Sequence, residues 1–347
     1  MSGRFPGVKP STESPWTRFD HIRIDEAAAR VRGVVQRTPL APLDAGDPRV
    51  QLRGKMENRQ ETGSFKARGA WNQVAQLDAA QKKAGVVCAS SGNHGKALAW
   101  AAQRAGVPAT IVMPKNAYAN KVQACRDHGA TVVLAEDREA ADRECAARVA
   151  AGMTLVHPYD AERTIQGAGT VGLEIAEDWP TVEVVVVCVG GGGLVSGTSL
   201  ALRRKLGRKV RIYGAEPEGS PSLTRGIAAG APVHLASITS KVQGLTPTYS
   251  GQINVDVCSA TLDGTILLSD DAIFAGQKRL VAAGEVVEPA GAAAFAAVVA
   301  RKLPAELLAG RTSKDPLRVA VVVSGGNPDP AQLESVRAEV ARERMMP

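Results

Sequence analysis

Lys66 is the residue whose surroundings best suit covalent chemistry. It ends the sequence GSFK, and the residues from 67 to 77 have the composition of a helix. An amine held among small residues at a helix start is partly removed from water, and such an amine acts as a nucleophile or a base. Taken alone, an ordinary surface lysine would be the better interpretation. Three other stretches favour the chemical role.

A run of four glycines lies between a predicted strand and a predicted helix. The strand is the β-branched run 182–189, which we expect to be buried on both faces, and the helix extends to about Leu206. Glycines at such a junction let backbone N–H groups converge on an anion at the helix N-terminus. In preference to a flexible linker, we predict a phosphate cradle formed by Gly190, Gly191, Gly192 and Gly193.

Two polar loops follow other predicted strands. One contains Ser90, Ser91, Gly92, Asn93 and His94, and the other is the sequence SGGN that begins at Ser324. Open α/β sheets bind ligands at the carboxyl ends of their strands. We therefore predict that both loops contribute to one site.

In order and spacing these stretches resemble the fold-type II pyridoxal-phosphate enzymes, within which the chain looks most like the serine/threonine dehydratase (ammonia-lyase) and serine racemase branch. The resemblance covers roughly residues 34 to 328. It also includes the sequences MP at 113, NKV at 120, HPYD at 157, QGAGT at 166, AEP at 215 and EPAG at 288. Each motif is weak alone, but the ordered set is specific.

The resemblance implies pyridoxal 5′-phosphate as the cofactor. Lys66 would then carry the cofactor aldehyde, the glycine tetrad would hold its phosphate, and Asn93 would bond the ring hydroxyl oxygen. Ser324 would face the ring nitrogen, and Phe65 would pack near the ring, although core packing would also explain a phenylalanine there. A neutral hydroxyl stabilises a protonated ring nitrogen less than a carboxylate does, which suits elimination better than transamination.

The implied reaction is the β-elimination of a β-hydroxy α-amino acid such as L-threonine, L-serine or a 3-hydroxyaspartate-like analogue. The substrate carboxylate would lie on the loop from Ser90 to His94, at a helix N-terminus that favours an anion. Lys66 would take the Cα proton, and loss of the β-hydroxyl would lead to a 2-oxo acid and ammonia. For His94 itself we favour a structural place in the loop over a role as general base.

Two alternatives remain open from the sequence. An amino-acid racemase would use Lys66 and Ser91 on opposite faces of Cα, whereas a hydrogen bond to the substrate carboxylate is the simpler explanation for Ser91. By resemblance, many threonine dehydratases have alanine at this position and serine racemases have serine. A non-catalytic sensor of a phosphate ligand would need the glycine tetrad but not Lys66.

Several positions depart from the family pattern. Ser222 stands where relatives often have a carboxylate, so we predict no metal site. The loop 242–251 differs from that of typical dehydratases, which leaves the choice of β-hydroxy amino acid open. Lys96 and Arg163 could pair with a second substrate carboxylate, although solvated surface charges are the simpler interpretation.

The alternation of predicted strands and helices indicates an α/β fold. By resemblance it has two three-layer αβα domains with open, mostly parallel sheets, as in the tryptophan synthase beta-like fold. We expect a flexible N-terminal arm at 1–22, a large cofactor-binding domain at 23–80 plus 161–347, and a small domain at 81–160.

Composition narrows the class of protein. The 347 residues carry a formal charge of +7, but the basic residues are spread along the chain without an interleaved aromatic stripe, so we expect small anionic partners and no nucleic acid. The five cysteines form no C-x-x-C pair, and no apolar run reaches the ~18 residues of a membrane span. We predict a cytoplasmic protein without membrane contact, and the resemblance implies a homodimer.

Overall fold

Two β-sheets organise the chain in the computed structural model, which describes residues 14–345. The larger sheet has six strands and the smaller sheet has four. The strands are β1 (Leu40–Leu43), β2 (Val50–Lys55), β3 (Val86–Ala89), β4 (Ala109–Pro114), β5 (Thr131–Ala135), β6 (Thr154–Leu155), β7 (Val184–Cys188), β8 (Arg211–Pro217), β9 (Gly264–Leu268) and β10 (Leu317–Val322).

The strand order is β1-β2-β10-β7-β8-β9 in the larger sheet and β5-β4-β3-β6 in the smaller one. Every neighbouring pair is parallel except β1 with β2. Parallel strands need crossover connections, which the helices between them supply. The predicted α/β class with open, mostly parallel sheets is confirmed.

Helices cover both sheets. They are α1 (Ile24–Val31), α2 (Lys66–Val74), α3 (Ala79–Ala84), α4 (Asn93–Ala105), α5 (Ala119–Asp127), α6 (Arg138–Ala150), α7 (Glu162–Asp178), α8 (Gly193–Leu206), α9 (Ser222–Ala229), α10 (Gln252–Thr261), α11 (Asp270–Ala282), α12 (Pro289–Val299) and α13 (Pro330–Met345). Helices α8 and α12 both pack on β7, and all five residues of that strand are buried. This accounts for its uninterrupted β-branched sequence.

The smaller sheet has a core on each face. Along β3, Val86 and Cys88 join the side chains of α2 and α4, whereas Val87 points the other way and packs with Val112 and α6. The alternation is the two-residue period of a strand. All four strands lie between residues 86 and 155, inside the predicted small domain. The exact domain boundaries stay a prediction.

Helix α2, which begins at Lys66, packs against α4 on the side of the smaller sheet and against α7 on the other. The contact with α7 is very close, because a Cβ at Gly167 would lie 2.4 Å from the backbone oxygen of Arg68. A glycine is therefore required at that point of α7. The close fit holds the first turn of α2 in place.

A buried ionic cluster also holds α2. The Arg68 guanidinium donates to Glu57 at 2.8 Å and to Glu174 at 2.7 Å, and the Lys55 ammonium lies 2.5 Å from Glu174. Two cations and two carboxylates thus balance in the interior, where an unpaired charge would be strongly destabilising. The cluster joins α2 to β2 and α7.

The predicted flexible arm at 1–22 is wrong for its last part. Residues 1–13 lie outside the described residues, but Trp16, Phe19 and Ile22 are buried against α7 and α8. The Arg204 side chain donates to the backbone oxygens of Ile22 at 2.8 Å and Phe19 at 2.6 Å. Apolar side chains spaced three residues apart fix this segment, although its proline- and serine-rich surroundings favoured a loose arm.

Candidate active site

Lys66 lies at the first position of α2 with its amine turned inward. The amine donates to the backbone oxygen of Pro158 at 2.6 Å and lies 4.9 Å from the centre of the Phe65 ring. Within residues 14–345 no carboxylate forms an ion pair with it. Desolvation lowers the pKa of Lys66 to about 8. A large share of this amine is therefore neutral, and nucleophilic, at mildly basic pH.

The glycine tetrad joins β7 to α8. Its four N–H groups donate no hydrogen bond within the described part of the chain. Side chains cannot be added here, because a Cβ at Gly191 would lie 2.2 Å from the Tyr159 ring and a Cβ at Gly192 would lie 2.6 Å from Asn254. Gly192 also has a φ of +100°, which favours glycine. Free N–H groups at the start of a 14-residue helix form an anion site.

The tetrad and Lys66 are connected through one short segment. Pro158 accepts the bond from Lys66, and the next residue, Tyr159, lies over Gly191. The segment is fixed by His157, whose Nδ1 accepts from the N–H groups of Tyr159 at 3.3 Å and Asp160 at 2.8 Å. The amine and the anion site are therefore neighbours, and the space between them is a candidate ligand cleft.

The loop after β3 presents backbone donors to the same cleft. The Ser90 hydroxyl accepts from the N–H groups of Gly92 at 3.3 Å and Gly95 at 3.2 Å, which shapes the turn into α4. The N–H groups of Ser91, Asn93 and His94 donate to no residue in the range 14–345. These donors, at the N-terminus of a 13-residue helix, suit a carboxylate.

His94 and Ser91 have opposite surroundings. The His94 ring is buried and its Nε2 lies 2.7 Å from the backbone oxygen of Val156. Desolvation, with the Lys66 charge adding to it, lowers the pKa of His94 to about 3, so the ring is neutral. The Ser91 side chain is exposed. A ligand at this loop could therefore contact the Ser91 side chain and the backbone N–H of His94, but not the His94 ring.

Ser324 lies just beyond β10, beside the end of β7. Its backbone oxygen accepts from the N–H of Phe65 at 3.1 Å, which ties it to the residue before Lys66. Its hydroxyl accepts a hydrogen bond from the Cys188 thiol at 3.1 Å. Cys188 was not predicted as a site residue, and its only signal in the sequence is its place near the end of a predicted strand that leads into the tetrad.

Asn93 is held from both ends of its amide. Its Nδ2 donates to Glu288, and its Oδ1 accepts from Asn327 at 2.8 Å, in the amide orientation that this network supports. Nδ2 carries two hydrogens, so one remains for a ligand oxygen. Glu288 and Asn327 belong to the EPAG and SGGN sequences, but their bonds to Asn93 were not predicted.

Lys96 and Arg163 are the two cations whose role the sequence left open. Lys96 lies in the network around Asn327, whereas Arg163 lies on the surface. The Lys96 amine donates to Oδ1 of Asn327 at 3.1 Å, and Lys121 donates to the backbone oxygen of the same residue at 2.5 Å. Desolvation, together with the charge of Lys121, lowers the pKa of Lys96. Arg163 is exposed on the first turn of α7. Lys96 therefore supports the loop after Ser324, whereas Arg163 is a surface charge.

The stretch around Glu216 is used inside the protein. Its carboxylate accepts from the N–H groups of Leu223 at 2.8 Å and Thr224 at 2.9 Å, and so caps α9. Burial raises the pKa of Glu216 to about 7. Ser222 bonds the hydroxyl of Ser250 at 2.9 Å. Within residues 14–345 no group of three or more histidine, cysteine, aspartate or glutamate side chains could hold a metal ion.

The loop 242–251 borders the glycine tetrad. The backbone oxygen of Gly244 would lie 2.8 Å from a Cβ at Gly190, and Tyr249 packs edge-on to Tyr159 with ring centres 6.1 Å apart. The loop therefore lies beside both the tetrad and Tyr159.

The residues of the cleft fit pyridoxal phosphate. The phosphate needs several N–H donors, which the tetrad offers unpaired, and the aldehyde needs an amine that is partly neutral, which Lys66 supplies. Asn93 offers a donor for the ring hydroxyl oxygen and Ser324 offers a hydroxyl for the ring nitrogen. Each polar feature of the cofactor thus has a counterpart among these side chains and backbone N–H groups.

Comparisons with known proteins agree with this fit. The family model described as pyridoxal-phosphate dependent enzyme matches residues 31–325. The chain is 37% identical to L-threonine ammonia-lyase of Thermotoga maritima, with 90% of this chain and 77% of that protein covered. It is 38% identical to L-threo-3-hydroxyaspartate ammonia-lyase of a Pseudomonas species, with 88% and 94% covered. The structure of maize serine racemase superposes with a TM-score of 0.82 at 33% identity, covering 93% of this chain and 98% of that one.

No helix among residues 14–345 is long and apolar enough to cross a membrane.

Proposed function

The chain belongs to the family of pyridoxal-phosphate dependent enzymes, and on that premise we propose that it is an ammonia-lyase that converts a β-hydroxy α-amino acid into a 2-oxo acid and ammonia. One observation carries the proposal. The partly neutral amine of Lys66 and the unpaired N–H groups of the glycine tetrad face one cleft, joined by Pro158 and Tyr159.

Each polar group of the cleft has a distinct task. When bound, pyridoxal phosphate supplies an electron sink for the charge that develops at the substrate Cα. The tetrad binds its phosphate, Asn93 binds the ring hydroxyl oxygen, and the N–H groups of the loop after Ser90 hold the substrate carboxylate. The Lys66 amine is turned inward beside the tetrad and is partly neutral, so it removes the Cα proton.

The reaction balances without a further reagent. The substrate loses the Cα proton and its β-hydroxyl as water, and hydrolysis of the released product takes up one water and frees ammonia. Two relatives are named as ammonia-lyases, one for L-threonine and one for L-threo-3-hydroxyaspartate. Their similarity supports a β-hydroxy amino acid as substrate, with L-threonine, L-serine and 3-hydroxyaspartate as the first compounds to test.

A substrate panel tests this proposal. Purified holoenzyme is given each β-hydroxy amino acid, and 2-oxo acid and ammonia are both measured. We expect equal amounts of the two products from at least one L-substrate and none with the Lys66→Ala variant, which loses the base. Ammonia without 2-oxo acid, or turnover by the variant, would contradict the proposal.

Racemisation is the second candidate, and Ser91 is the observation that favours it. Its side chain is exposed and has no hydrogen-bond partner among residues 14–345, so its hydroxyl is free to act on the second face of Cα. Similarity to maize serine racemase adds support. The Ser91→Ala variant is expected to lose inversion, as followed by chiral chromatography, while 2-oxo acid formation persists at a reduced rate. Equal loss of both would assign Ser91 to substrate positioning.

The remaining assignments complete the proposal. We propose a cytoplasmic enzyme, supported by five free cysteines that are all buried, and a homodimer, which light scattering of the purified protein tests. Phe65 is proposed to pack beside the ring, because its own ring already lies next to the Lys66 amine.

A further inference from the structure

A buried thiol that the proposed reaction does not use lies behind Ser324. Cys188 is the last residue of β7, and Ser324 follows β10 by two residues. The two strands are parallel neighbours with Val321 paired to Val186, so their carboxyl ends lie side by side. The Cys188 Sγ and Ser324 Oγ atoms are 3.1 Å apart, and both residues are 4% exposed.

The geometry of this hydrogen bond has the Cys188 thiol as the donor and the Ser324 oxygen as the acceptor. Burial raises the pKa of Cys188 to about 11, so the thiol keeps its proton at neutral pH and can donate it. The Ser324 oxygen then accepts, and its own proton does not point at the sulfur. A hydroxyl has one proton and two lone pairs. The Ser324 proton is therefore free for the cleft side, since no other residue in the range 14–345 bonds this hydroxyl.

We propose that Cys188 is a positioning residue that orients the Ser324 hydroxyl as a donor, so that Ser324 holds the ring nitrogen of the cofactor in its unprotonated form. The proposal rests on the proposed function, in which Ser324 faces that nitrogen. An O–H group facing a pyridine nitrogen matches its lone pair, whereas a protonated nitrogen would need an acceptor in the same place. Cys188 makes the donor arrangement the preferred one.

Cys188, at the end of β7, would thereby influence which reaction the site catalyses. An unprotonated ring draws less charge from Cα, so little carbanion accumulates unless a leaving group departs. A β-hydroxy substrate offers such a group. Cys188 would therefore favour elimination over reactions that need a long-lived carbanion, although it does not touch the substrate.

The test measures the protonation state of the ring nitrogen directly. The protein is reconstituted with pyridoxal phosphate carrying ¹⁵N in the ring, and the ¹⁵N chemical shift is followed from pH 6 to pH 9. Wild type is expected to show a mostly unprotonated nitrogen, with a small protonated fraction at the acid end. In Cys188→Ala the protonated fraction at the acid end should rise by about two- to tenfold, the range that one net hydrogen bond corresponds to. Cys188→Ser keeps a donor and should match wild type.

A matched control comes from a second thiol–hydroxyl pair. Cys258 lies 3.3 Å from the Ser196 hydroxyl, and both are buried outside the cleft. Cys258→Ala should leave the ¹⁵N shift unchanged, so a shift in Cys188→Ala alone excludes a general effect of removing a thiol. Equal shifts in both variants would overturn the proposal.

The Cys188 and Ser324 variants together distinguish the role of Cys188 from that of Ser324. If Cys188→Ala matches wild type while Ser324→Ala changes the ¹⁵N shift, Ser324 faces the ring nitrogen but Cys188 does not position it. If Ser324→Ala also has no effect, the assignment of Ser324 fails and the proposal with it, although the lyase assay stands. A protonated nitrogen in wild type at pH 7 would overturn the proposal without any variant.

Discussion

Replacing Lys66 with methionine is expected to stabilise the cofactor-free protein near neutral pH. Desolvation lowers the pKa of this amine from its ordinary value of 10.5 to about 8. Between these two values the unfolded chain binds the proton and the folded protein does not, so the free energy of unfolding rises with pH across this window. Below pH 8 the folded protein carries the full cost of the buried charge.

The size of the effect follows from the shift. A difference of about 2.5 pKa units corresponds to roughly 3.4 kcal/mol as an upper limit. The real gain is smaller, because the Lys66 side chain keeps some contact with solvent and because methionine leaves the backbone oxygen of Pro158 without its donor. We expect about 1–2 kcal/mol at pH 7. At pH 9.5 the folded amine is already neutral, and the gain should fall to less than half.

Urea unfolding of the apoprotein at pH 7 and pH 9.5 measures this directly. Lys82 is exposed on α3, so Lys82→Met is the matched control and should show no gain that depends on pH in this way. A Lys66→Met variant that is less stable than wild type at pH 7 would refute the reasoning. So would a gain that is the same at both pH values.

Three further perturbations test other parts of the molecule. Gly191→Ala places a Cβ 2.2 Å from the Tyr159 ring, so the affinity for pyridoxal phosphate should fall by at least about tenfold in an absorbance titration. Adding Tyr159→Ala should restore part of the affinity, and no recovery would contradict a steric cause. Arg68→Met leaves the buried carboxylates of Glu57 and Glu174 without their guanidinium, so the free energy of unfolding measured with urea should fall by about 3–5 kcal/mol. A loss under about 1 kcal/mol would show that the cluster is not strongly coupled. Burial raises the pKa of Glu216 to about 7, so the folded protein binds more protons than the unfolded chain between pH 4.5 and pH 7. The free energy of unfolding therefore falls as pH rises through that window. Glu216→Gln should flatten this dependence in urea unfolding, and an unchanged dependence would refute the assignment.

The elements that the sequence predicted best are those with one dominant local pattern. A continuous β-branched run such as the one before the tetrad is typical of a strand buried on both faces, and β7 is fully buried. Helix α12 was not predicted, because its apolar residues cover every side and leave no helical period to recognise. The segment from Trp16 to Ile22 was predicted to be flexible because most of its residues are polar. Burial of the three apolar residues Trp16, Phe19 and Ile22 nevertheless holds it against the protein.

The site could be predicted as a set of loops but not as a network. Lys66, the tetrad and the two polar loops carry residue types whose chemistry is local, so their sequence already indicates their use. The bonds that hold them are long-range: Arg68 to Glu174 joins residues 106 apart, and Cys188 to Ser324 joins residues 136 apart. No local pattern encodes such a contact, because it depends on which strands become neighbours.

Covalent capture of the cofactor tests the central claim most directly. The holoenzyme is treated with borohydride, digested, and mapped by mass spectrometry for the peptide that carries the reduced cofactor. The structure predicts a single modified position at Lys66, because its amine lies beside the tetrad and Ser324 and is partly neutral. Modification of a different lysine, or no stable modification, would contradict the account.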